Sequence, residues 1–195
     1  MSWPDDPSDS ELTQRALGGE DQAFTQLMRR HKERLYRFVR RYVGDSDGAY
    51  EVVQESFVAA WRNLARYDAE RPFTSWIRAI ALNKCRDRAR RETVRRVVFG
   101  TRHGDVEEAM VAPDPSPGAE HALIARQRRR ALDAAIAALP AKLKEPLILT
   151  AFEDLSQQAA GDLLGVSAKT IETRVYRARR KLAETLKLGD FDGEG

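Results

Sequence analysis

The stretch from Asp154 to Leu182, DLSQQAAGDLLGVSAKTIETRVYRARRKL, constrains the fold more than any other part of the chain. In its first half, Ala159, Leu163 and Leu164 recur at helical spacing and predict an apolar stripe. Gly165 follows, and glycine favours the left-handed conformation through which a chain leaves a helix. The stretch therefore predicts a short helix, a glycine turn and a second helix.

The second helix is predicted to place cations and hydroxyls opposite a buried seam. The seam consists of Ile171, Val175, Ala178 and Leu182. The side chains that fall away from it are Lys169, Thr170, Thr173, Arg174, Arg177 and Lys181. Ser167 precedes the helix and can cap one of its backbone N–H groups. This layout is typical of a helix-turn-helix whose second helix enters the DNA major groove. The alternative is a solvated basic helix in an ordinary bundle, but the turn spacing and the one-sided cations favour DNA binding.

Charge along the chain indicates two separate contacts with nucleic acid. The totals, 33 Lys+Arg against 30 Asp+Glu, give a net charge of only +3. However, nine basic residues fall within 71–96 and seven within 169–187. Between these blocks, 104–120 carries five acidic residues and no lysine or arginine. Two basic blocks with an acidic spacer between them favour two phosphate contacts, with the spacer kept away from the nucleic acid.

Several classes of protein are excluded by what the sequence lacks. The single cysteine, Cys85, excludes a disulfide framework and a cysteine-rich zinc site, and we expect it to be a small packed side chain. No phosphate-binding loop, HExxH or GxSxG motif occurs, so we predict no catalytic residues, no metal site and no cofactor. There is no apolar run of about 18 residues and no signal peptide. We therefore expect a cytoplasmic protein without membrane insertion.

The predicted fold is all-α, with two small helical domains joined by a flexible acidic linker, the second domain being the helix-turn-helix unit. Residues 97–118 contain three glycines and three prolines within 22 residues, too many helix breakers for a packed element. The predicted divisions are a disordered lead-in over 1–10, a first domain over 11–96, the linker over 97–118, a second domain over 119–188 and a tail over 189–195.

Helical periodicity predicts four helices in the first domain, over 11–17, 22–43, 49–64 and 73–96. Trp61 and Trp76 keep helical spacing with aliphatic neighbours, so we expect both in the core. His31 lies on an apolar seam and is interpreted as a packed histidine. In the second domain, Pro140 is predicted to end one helix and Pro146 to begin the next.

Five stretches in a fixed order carry a family resemblance. They are GEDQAF at 19–24, VVQESFVAAWRNL at 52–64, FTSWIRAIALN at 73–83, LPAKLKEPLIL at 139–149 and LLGVSAKTIETRVYRARRKL at 163–182. Together they resemble a bacterial RNA polymerase sigma factor of the extracytoplasmic-function class, over roughly 11–186. The resemblance implies a promoter-specificity subunit that has no catalytic activity of its own.

For the first domain, the resemblance implies two contacts. The helix at 49–64 would bind the clamp coiled coil of the polymerase's largest subunit through its polar face, Glu51, Gln54 and Glu55. The loop and helix that follow would capture the minus-ten element as it melts. The residues expected to contact that element are Tyr67, Asp68, Arg71, Arg78, Asn83, Lys84, Arg86, Arg90 and Arg91. Asn83 matches the asparagine of the flipped-base pocket, and an amide can both donate to and accept from a base edge.

For the second domain, the resemblance implies recognition of the minus-thirty-five element. Ser167 and the adjoining helix N-terminus would hold a phosphate, while the outward face of the second helix would lie in the groove. The linker would thread the polymerase's active-site cleft and RNA exit channel. The implied partners are core RNA polymerase, promoter DNA and an anti-sigma factor that covers the polymerase-binding faces of both domains.

Three positions depart from the family pattern. Ala159-Ala160-Gly161 stands where Glu-Ile-Ala is usual, and a glycine inside a helix costs about 1 kcal/mol. Ala79 stands where an arginine is frequent, and Gly48 where an acidic residue is common, which thins the polymerase-docking face. Two alternatives remain open: a stand-alone helix-turn-helix repressor or activator that works without polymerase, and a nucleic-acid-modifying enzyme.

Overall fold

The structure is a computed structural model that describes residues 6–99 and 119–191. The N-terminal body, residues 6–99, contains α1 (Asp9–Leu17), α2 (Asp21–Val43), α3 (Ser46–Arg62), a 3-10 turn (Leu64–Arg66) and α4 (Phe73–Phe99). The C-terminal body, residues 119–191, contains α5 (Ala119–Ala138), α6 (Ala141–Ala151), α7 (Gln157–Leu164) and α8 (Ala168–Phe191). Neither range contains a strand. The prediction of an all-α chain with a helix-turn-helix unit is confirmed.

The N-terminal body is built around the buried faces of α2, α3 and α4. The largest side chains that are fully enclosed there include Leu27, Phe38, Phe73, Ile77 and Leu82. Each such side chain stabilises the fold by about 1.5–3 kcal/mol relative to an exposed one. His31 is buried among them, with its ring centroid 5.0 Å from that of Phe73. The interpretation of a packed histidine is confirmed.

Residues 1–5 of the predicted lead-in lie outside the described residues, whereas its last two residues belong to α1, which starts at Asp9 rather than at residue 11. Ser8 and Glu11 form a capping box that starts α1. Asp9 then accepts from Arg30 Nη1 at 2.7 Å and lies 2.8 Å from His31 Nε2. Sequence periodicity could not detect these contacts because they join residues more than twenty positions apart.

Three helices are longer than their patterns predicted. Asp45 caps α3 by accepting from the backbone N–H of Gly48 at 2.5 Å, so the helix begins at Ser46 rather than Ala49. Helix α4 continues to Phe99, because no breaker precedes Gly100. Helix α8 continues through Gly189 to Phe191, since a helix that is already nucleated tolerates one glycine. The rest of the predicted linker, 100–118, and the last four tail residues, 192–195, lie outside the described residues.

Pro146 lies inside α6, so the prediction that it begins the helix is wrong. The helix starts at Ala141, directly after Pro140. At the sixth helical position Pro146 removes one backbone hydrogen bond, a cost that tertiary packing outweighs. Leu147, Ile148 and Leu149, which follow it in the helix, are all buried.

The two bodies pack against each other, α2 lying against α5 and α6. Gly44 ends α2 in the left-handed conformation, with φ 95°. A Cβ atom on Gly44 would lie only 2.8 Å from the Cβ of Ala137 on α5. Buried apolar side chains form one cluster that continues through both bodies. The sequence did not indicate this arrangement.

Candidate nucleic-acid interface

The helix-turn-helix has the predicted turn. Gly165 ends α7 in the left-handed conformation, with φ 68°. Val166 N–H donates to the Gly161 carbonyl at 3.0 Å and so closes the turn. Ser167 Oγ accepts from the backbone N–H of Thr170 at 3.2 Å, which confirms the predicted cap of α8. The seam of α8 is also confirmed, since Ile171 and Ala178 are completely buried.

The apolar stripe predicted for α7 is confirmed at Leu163 and Leu164, which pack against the core, but not at Ala159. Ala159 is exposed, whereas Ala160 and Gly161 are buried. A Cβ atom on Gly161 would lie 2.6 Å from the carbonyl oxygen of Val166. Gly161 therefore lets α7 approach the turn closely, and its departure from the family pattern has a packing reason.

The outward face of α8 carries the residues predicted to contact the minus-thirty-five element. Lys169, Thr173, Arg177 and Lys181 are exposed, and Thr170 and Arg174 are half-buried. Lys169 Nζ donates to Glu172 at 2.8 Å, and Thr173 Oγ1 donates to the Lys169 carbonyl at 2.9 Å. Such exposed pairs are weak and are easily exchanged for contacts with DNA.

An aromatic cluster lies where the loop before α4 meets the start of that helix. The ring of Tyr67 lies 5.6 Å from that of Phe73 and 5.1 Å from that of Trp76, between centroids. Its hydroxyl donates to the Arg71 carbonyl at 2.6 Å, which holds the loop closed. Trp76 is half-buried, so the prediction that it lies in the core holds only in part. Asp68 is exposed and lies 3.3 Å from Arg71 Nε.

The polar half of α4 presents most of the other predicted minus-ten residues. Asn83 is exposed, with its Oδ1 3.4 Å from Arg86 Nη1. Lys84 and Arg91 lie 3.5 Å and 3.7 Å from Glu55. Arg90 pairs with Asp87 on its own helix at 2.8 Å. These residues form one surface along α4, which borders the acidic face of α3.

That acidic face consists of Glu51, Gln54 and Glu55, the residues predicted to bind polymerase. They line a shallow cavity of about 480 Å³ on α3. Val58 lies in the same cavity and is half exposed. The prediction that Trp61 lies in the core is wrong: the side chain is 41% exposed, with its ring 4.9 Å from that of Phe24. Val58 and Trp61 lie three residues apart, which places both on one face of the helix. This spacing was the signal in the sequence for an apolar patch beside the carboxylates.

Gly48 is not part of that face. It is buried, and a Cβ atom on it would lie 2.5 Å from Arg88 Nη2. Arg88 also donates to Glu51 and lies 2.8 Å from Glu92 through its Nε. The glycine makes room for the arginine, so the expectation that it thins the docking face is wrong.

Two predicted DNA contacts, Arg78 and Arg86, are occupied by the C-terminal body. Arg78 is only 6% exposed, and its Nη2 donates to Glu153 at 2.5 Å. Arg86 donates to both carboxylate oxygens of Glu145, at 2.8 Å from Nε and 2.6 Å from Nη2. The hydrogen bonds that Arg86 donates to the Glu145 carboxylate raise the pKa of the guanidinium. In this arrangement Arg78 is enclosed, and Arg86, whose side chain remains 36% exposed, has two of its nitrogens engaged by Glu145.

Glu145 and Glu153 were missed by sequence analysis. They are 6% and 4% exposed, although both lie next to other polar residues in the sequence. Arg34 approaches Glu153 at 3.5 Å, and the Tyr42 hydroxyl donates to Glu145 at 3.1 Å. Nothing in a single sequence distinguishes such a glutamate from one on a solvated face.

Within residues 6–99 and 119–191, His, Cys, Asp and Glu form no group of three that could hold a metal ion. In the same ranges, the helices include none with the length and apolar content that a bilayer span needs. Burial raises the pKa of the Cys85 thiol to about 12, which keeps it protonated.

Comparison with known proteins identifies both bodies. Residues 27–95 match the family model for sigma-70 region 2, and residues 129–182 match the model for sigma-70 region 4. The first covers all of α3, most of α2, and α4 as far as Arg95. The second covers the helix-turn-helix and the helix before it.

Curated relatives match along nearly the whole chain. The RNA polymerase sigma factor CnrH of Cupriavidus metallidurans is 37% identical over 192 residues, 98% of each chain. The ECF RNA polymerase sigma factor SigW of Bacillus subtilis is 27% identical, over 87% of this chain and 91% of its own.

Solved structures agree with this relationship. The structure of CnrH in complex with the cytosolic domain of CnrY matches with a TM-score of 0.65 and 31% identity, covering 93% of this chain and 99% of CnrH. The sigma factor RpoE of Bartonella quintana, solved with the anti-sigma factor NepR, shares the fold with a TM-score of 0.64 at 23% identity, over 84% of this chain and 96% of its own. With both sigma-70 regions in order and a relative of this identity along its length, the chain belongs to the sigma-70 family as an extracytoplasmic-function sigma factor, which directs RNA polymerase to promoters.

Proposed function

We propose that the two bodies divide promoter recognition between them, so that the N-terminal body docks polymerase and holds the minus-ten element while the C-terminal body recognises the minus-thirty-five element. The observation that carries this proposal is the presence of two cationic surfaces, one along α4 and one along α8, each within a different matched region. A protein that reads a single duplex site has no use for the first of them.

Polymerase docking is proposed for Glu51, Gln54 and Glu55. The exposed apolar side chains of Val58 and Trp61 continue along the same helix. A carboxylate face with an apolar edge suits a basic, partly apolar helical partner, because charge steers the encounter and apolar burial supplies most of the affinity.

Minus-ten capture is proposed for the aromatic cluster and the basic half of α4. Tyr67, Asp68 and Arg71 belong to the loop and, with Trp76, line a cavity of about 540 Å³. In this arrangement the other side of the cavity is formed by the C-terminal body, through Leu155, Ala159 and Leu163. An unstacked base can lie against aromatic rings and be recognised at its edge by an exposed amide such as Asn83. The cations expected to hold the adjacent phosphates are Arg78, Lys84, Arg86, Arg90 and Arg91.

Minus-thirty-five recognition is proposed for α8. Arg174 and Arg177 can pair bidentately with guanine, and each good pair discriminates by about 1–3 kcal/mol. Ser167 lies at the start of the helix, where the backbone N–H groups favour a phosphate. Lys169, Thr170, Thr173 and Lys181 complete the surface.

Control by an anti-sigma factor is proposed from the relatives. CnrH is seen bound to the cytosolic domain of CnrY, and this chain shares its fold at 31% identity. By analogy we expect a partner protein with a cytosolic segment that covers the polymerase-binding surfaces. A cytosolic partner and the polymerase itself support a cytoplasmic location. We propose no catalytic activity for the chain on its own.

Run-off transcription tests the proposed function. Promoters selected from a randomised DNA library with core polymerase and this chain should yield defined transcripts only when both proteins are present. The triple variant Glu51→Ala, Gln54→Ala, Glu55→Ala should lose transcription yet keep its helical circular dichroism, and Gln22→Ala serves as an exposed control on α2. Tight, sequence-specific duplex binding with no effect on polymerase would instead favour a stand-alone helix-turn-helix regulator.

A further inference from the structure

The contact between the two bodies is made by charges that water normally surrounds. Glu145 and Glu153 belong to the C-terminal body, and each forms an ion pair with an arginine of the N-terminal body, Arg86 and Arg78 respectively. A carboxylate removed from water is tolerated only when it is paired and hydrogen-bonded. Both are, so the contact is a specific fit between the bodies.

Side chains close to the two glutamates also take part in the contact between the bodies. Lys144 Nζ donates to the Tyr42 carbonyl at 3.0 Å and lies 4.7 Å from the centre of the Tyr42 ring. Burial lowers the pKa of Lys144. Arg41 lies 4.4 Å above the ring of Phe152. The close approach at Gly44 adds a backbone contact that any larger residue would obstruct.

We propose that Glu145 and Glu153, with their arginine partners, form an interdomain latch that holds the free sigma factor closed and unable to engage a promoter. This inference rests on the proposed division of promoter recognition. The two glutamates occupy Arg86 and Arg78, which are proposed minus-ten contacts, so that each carboxylate stands in the place of a DNA phosphate.

The closed arrangement also limits access to the proposed DNA-binding surface of α8. A cavity of about 730 Å³ between the bodies is lined by Arg86 and Arg90 of α4 and by Arg174 of α8. Residues proposed for two different promoter elements therefore face one cleft. DNA in this cleft could bind the surface of α4 or the surface of α8, but it would then exclude DNA from the other surface.

The distance between the two promoter elements also requires the two bodies to separate. Elements centred near positions minus ten and minus thirty-five lie about 25 base pairs apart, or about 85 Å of duplex at about 3.4 Å per base pair. Compact units of the size of the two bodies have radii of gyration of about 12 Å and about 11 Å, so when they touch their centres lie roughly 30 Å apart. The latch must open before both elements can be bound.

Opening is feasible because the arginines and glutamates return to water. Buried ion pairs roughly balance their Coulombic attraction against the desolvation of both partners. A partner that binds only the open form, such as polymerase, shifts the equilibrium by its preference for that form. The affinity measured for polymerase is then reduced by the fraction of closed chains.

Fluorescence transfer within the full-length chain tests the latch. Donor and acceptor dyes are attached through Lys32→Cys on α2 and Arg179→Cys on α8, two exposed positions, in a Cys85→Ala background. The free chain should show high transfer, and addition of core polymerase with a selected promoter should lower it. Unchanged transfer in the promoter complex would overturn the proposal.

Variants of the two glutamates test the latch without altering the arginines that are proposed to bind DNA. Glu145→Gln with Glu153→Gln should lower transfer in the free chain and tighten binding to core polymerase by about tenfold or more. The matched control is Glu184→Gln, which removes the same charge from a pair with Arg180 inside α8. It should behave like the unmodified chain.

Three results decide the matter. A double variant as compact as the unmodified chain, or one that opens without binding polymerase more tightly, overturns the latch. If the double variant loses helical circular dichroism, the promoter-complex measurement on the unmodified glutamates decides. Failure of the unmodified chain to support transcription would overturn the proposed function, whereas the transfer in the free chain would still report the closed state.

Discussion

Arg78 of α4 and Glu153 after α6 form an ion pair of 2.5 Å across 75 positions of sequence, with both side chains almost fully buried. Removal of either residue leaves the other charge without its nearest partner. Arg78→Ala and Glu153→Ala should therefore be non-additive in the free energy of unfolding, with a coupling of about 1–3 kcal/mol. Urea denaturation of the two single variants and the double variant measures it.

The exposed pair Arg180 and Glu184 provides the comparison, and its cycle should show no resolvable coupling. Additive effects at Arg78 and Glu153 would mean that the two bodies do not rely on this contact in solution.

We expect Gly161→Ala to destabilise the chain, although alanine is usually preferred to glycine inside a helix. In an ordinary helix, glycine to alanine stabilises by about 1 kcal/mol. Here the added Cβ meets the Val166 carbonyl at 2.6 Å, so the turn must shift. Gly161→Ala should lower the free energy of unfolding by about 1–3 kcal/mol, the cost of overpacking.

The exposed neighbour Ala159 supplies the control, because Ala159→Gly should cost only the propensity difference of about 1 kcal/mol. A more stable Gly161→Ala chain with intact recognition of the minus-thirty-five element would show that the turn is not tightly packed.

Asn83→Ala should impair promoter melting more than polymerase recruitment. The side chain is exposed on α4 and does not line the cavity formed by Glu51, Gln54 and Glu55. Permanganate reactivity of unpaired thymines measures melting, and a gel-shift titration with core polymerase measures recruitment. An equal loss of both would count against a base pocket at Asn83. Gln22→Ala should leave both unchanged.

Arg174→Ala should relax selectivity at one or two positions of the minus-thirty-five element by about 1–3 kcal/mol. Binding of a library of single-base variants by the holoenzyme measures this. Arg179→Ala, an exposed arginine elsewhere on α8, should leave the ranking of sequences unchanged. A uniform weakening over all sequences would identify Arg174 as a phosphate contact instead.

The parts of the fold that sequence analysis predicted are those set by local rules. The α7–α8 turn requires Gly165 in the left-handed conformation and Ser167 as a cap, and both signals lie within a few residues of the feature they determine. The seam of α8 likewise follows from a 3.6-residue period. Family resemblance added the roles of the surfaces, which no local rule supplies.

The features that were missed depend on distant partners. Glu145 and Glu153 resemble surface residues until arginines about sixty and seventy-five positions away enclose them. Pro146 favours the first turn of a helix by local rules, but packing of its neighbours keeps it inside α6. Trp61 follows the period of a core residue yet lies at the edge of the body. In each case tertiary contacts decided against the local preference.

Footprinting of one promoter with and without polymerase tests the central claim most directly. The claim is that one chain holds two separated elements on behalf of core polymerase. Hydroxyl-radical cleavage should show protection of both the minus-ten and minus-thirty-five elements when chain and core polymerase are present, and neither element should be strongly protected by the free chain. Strong protection of both elements by the free chain, or protection of only one element in the polymerase complex, would contradict it.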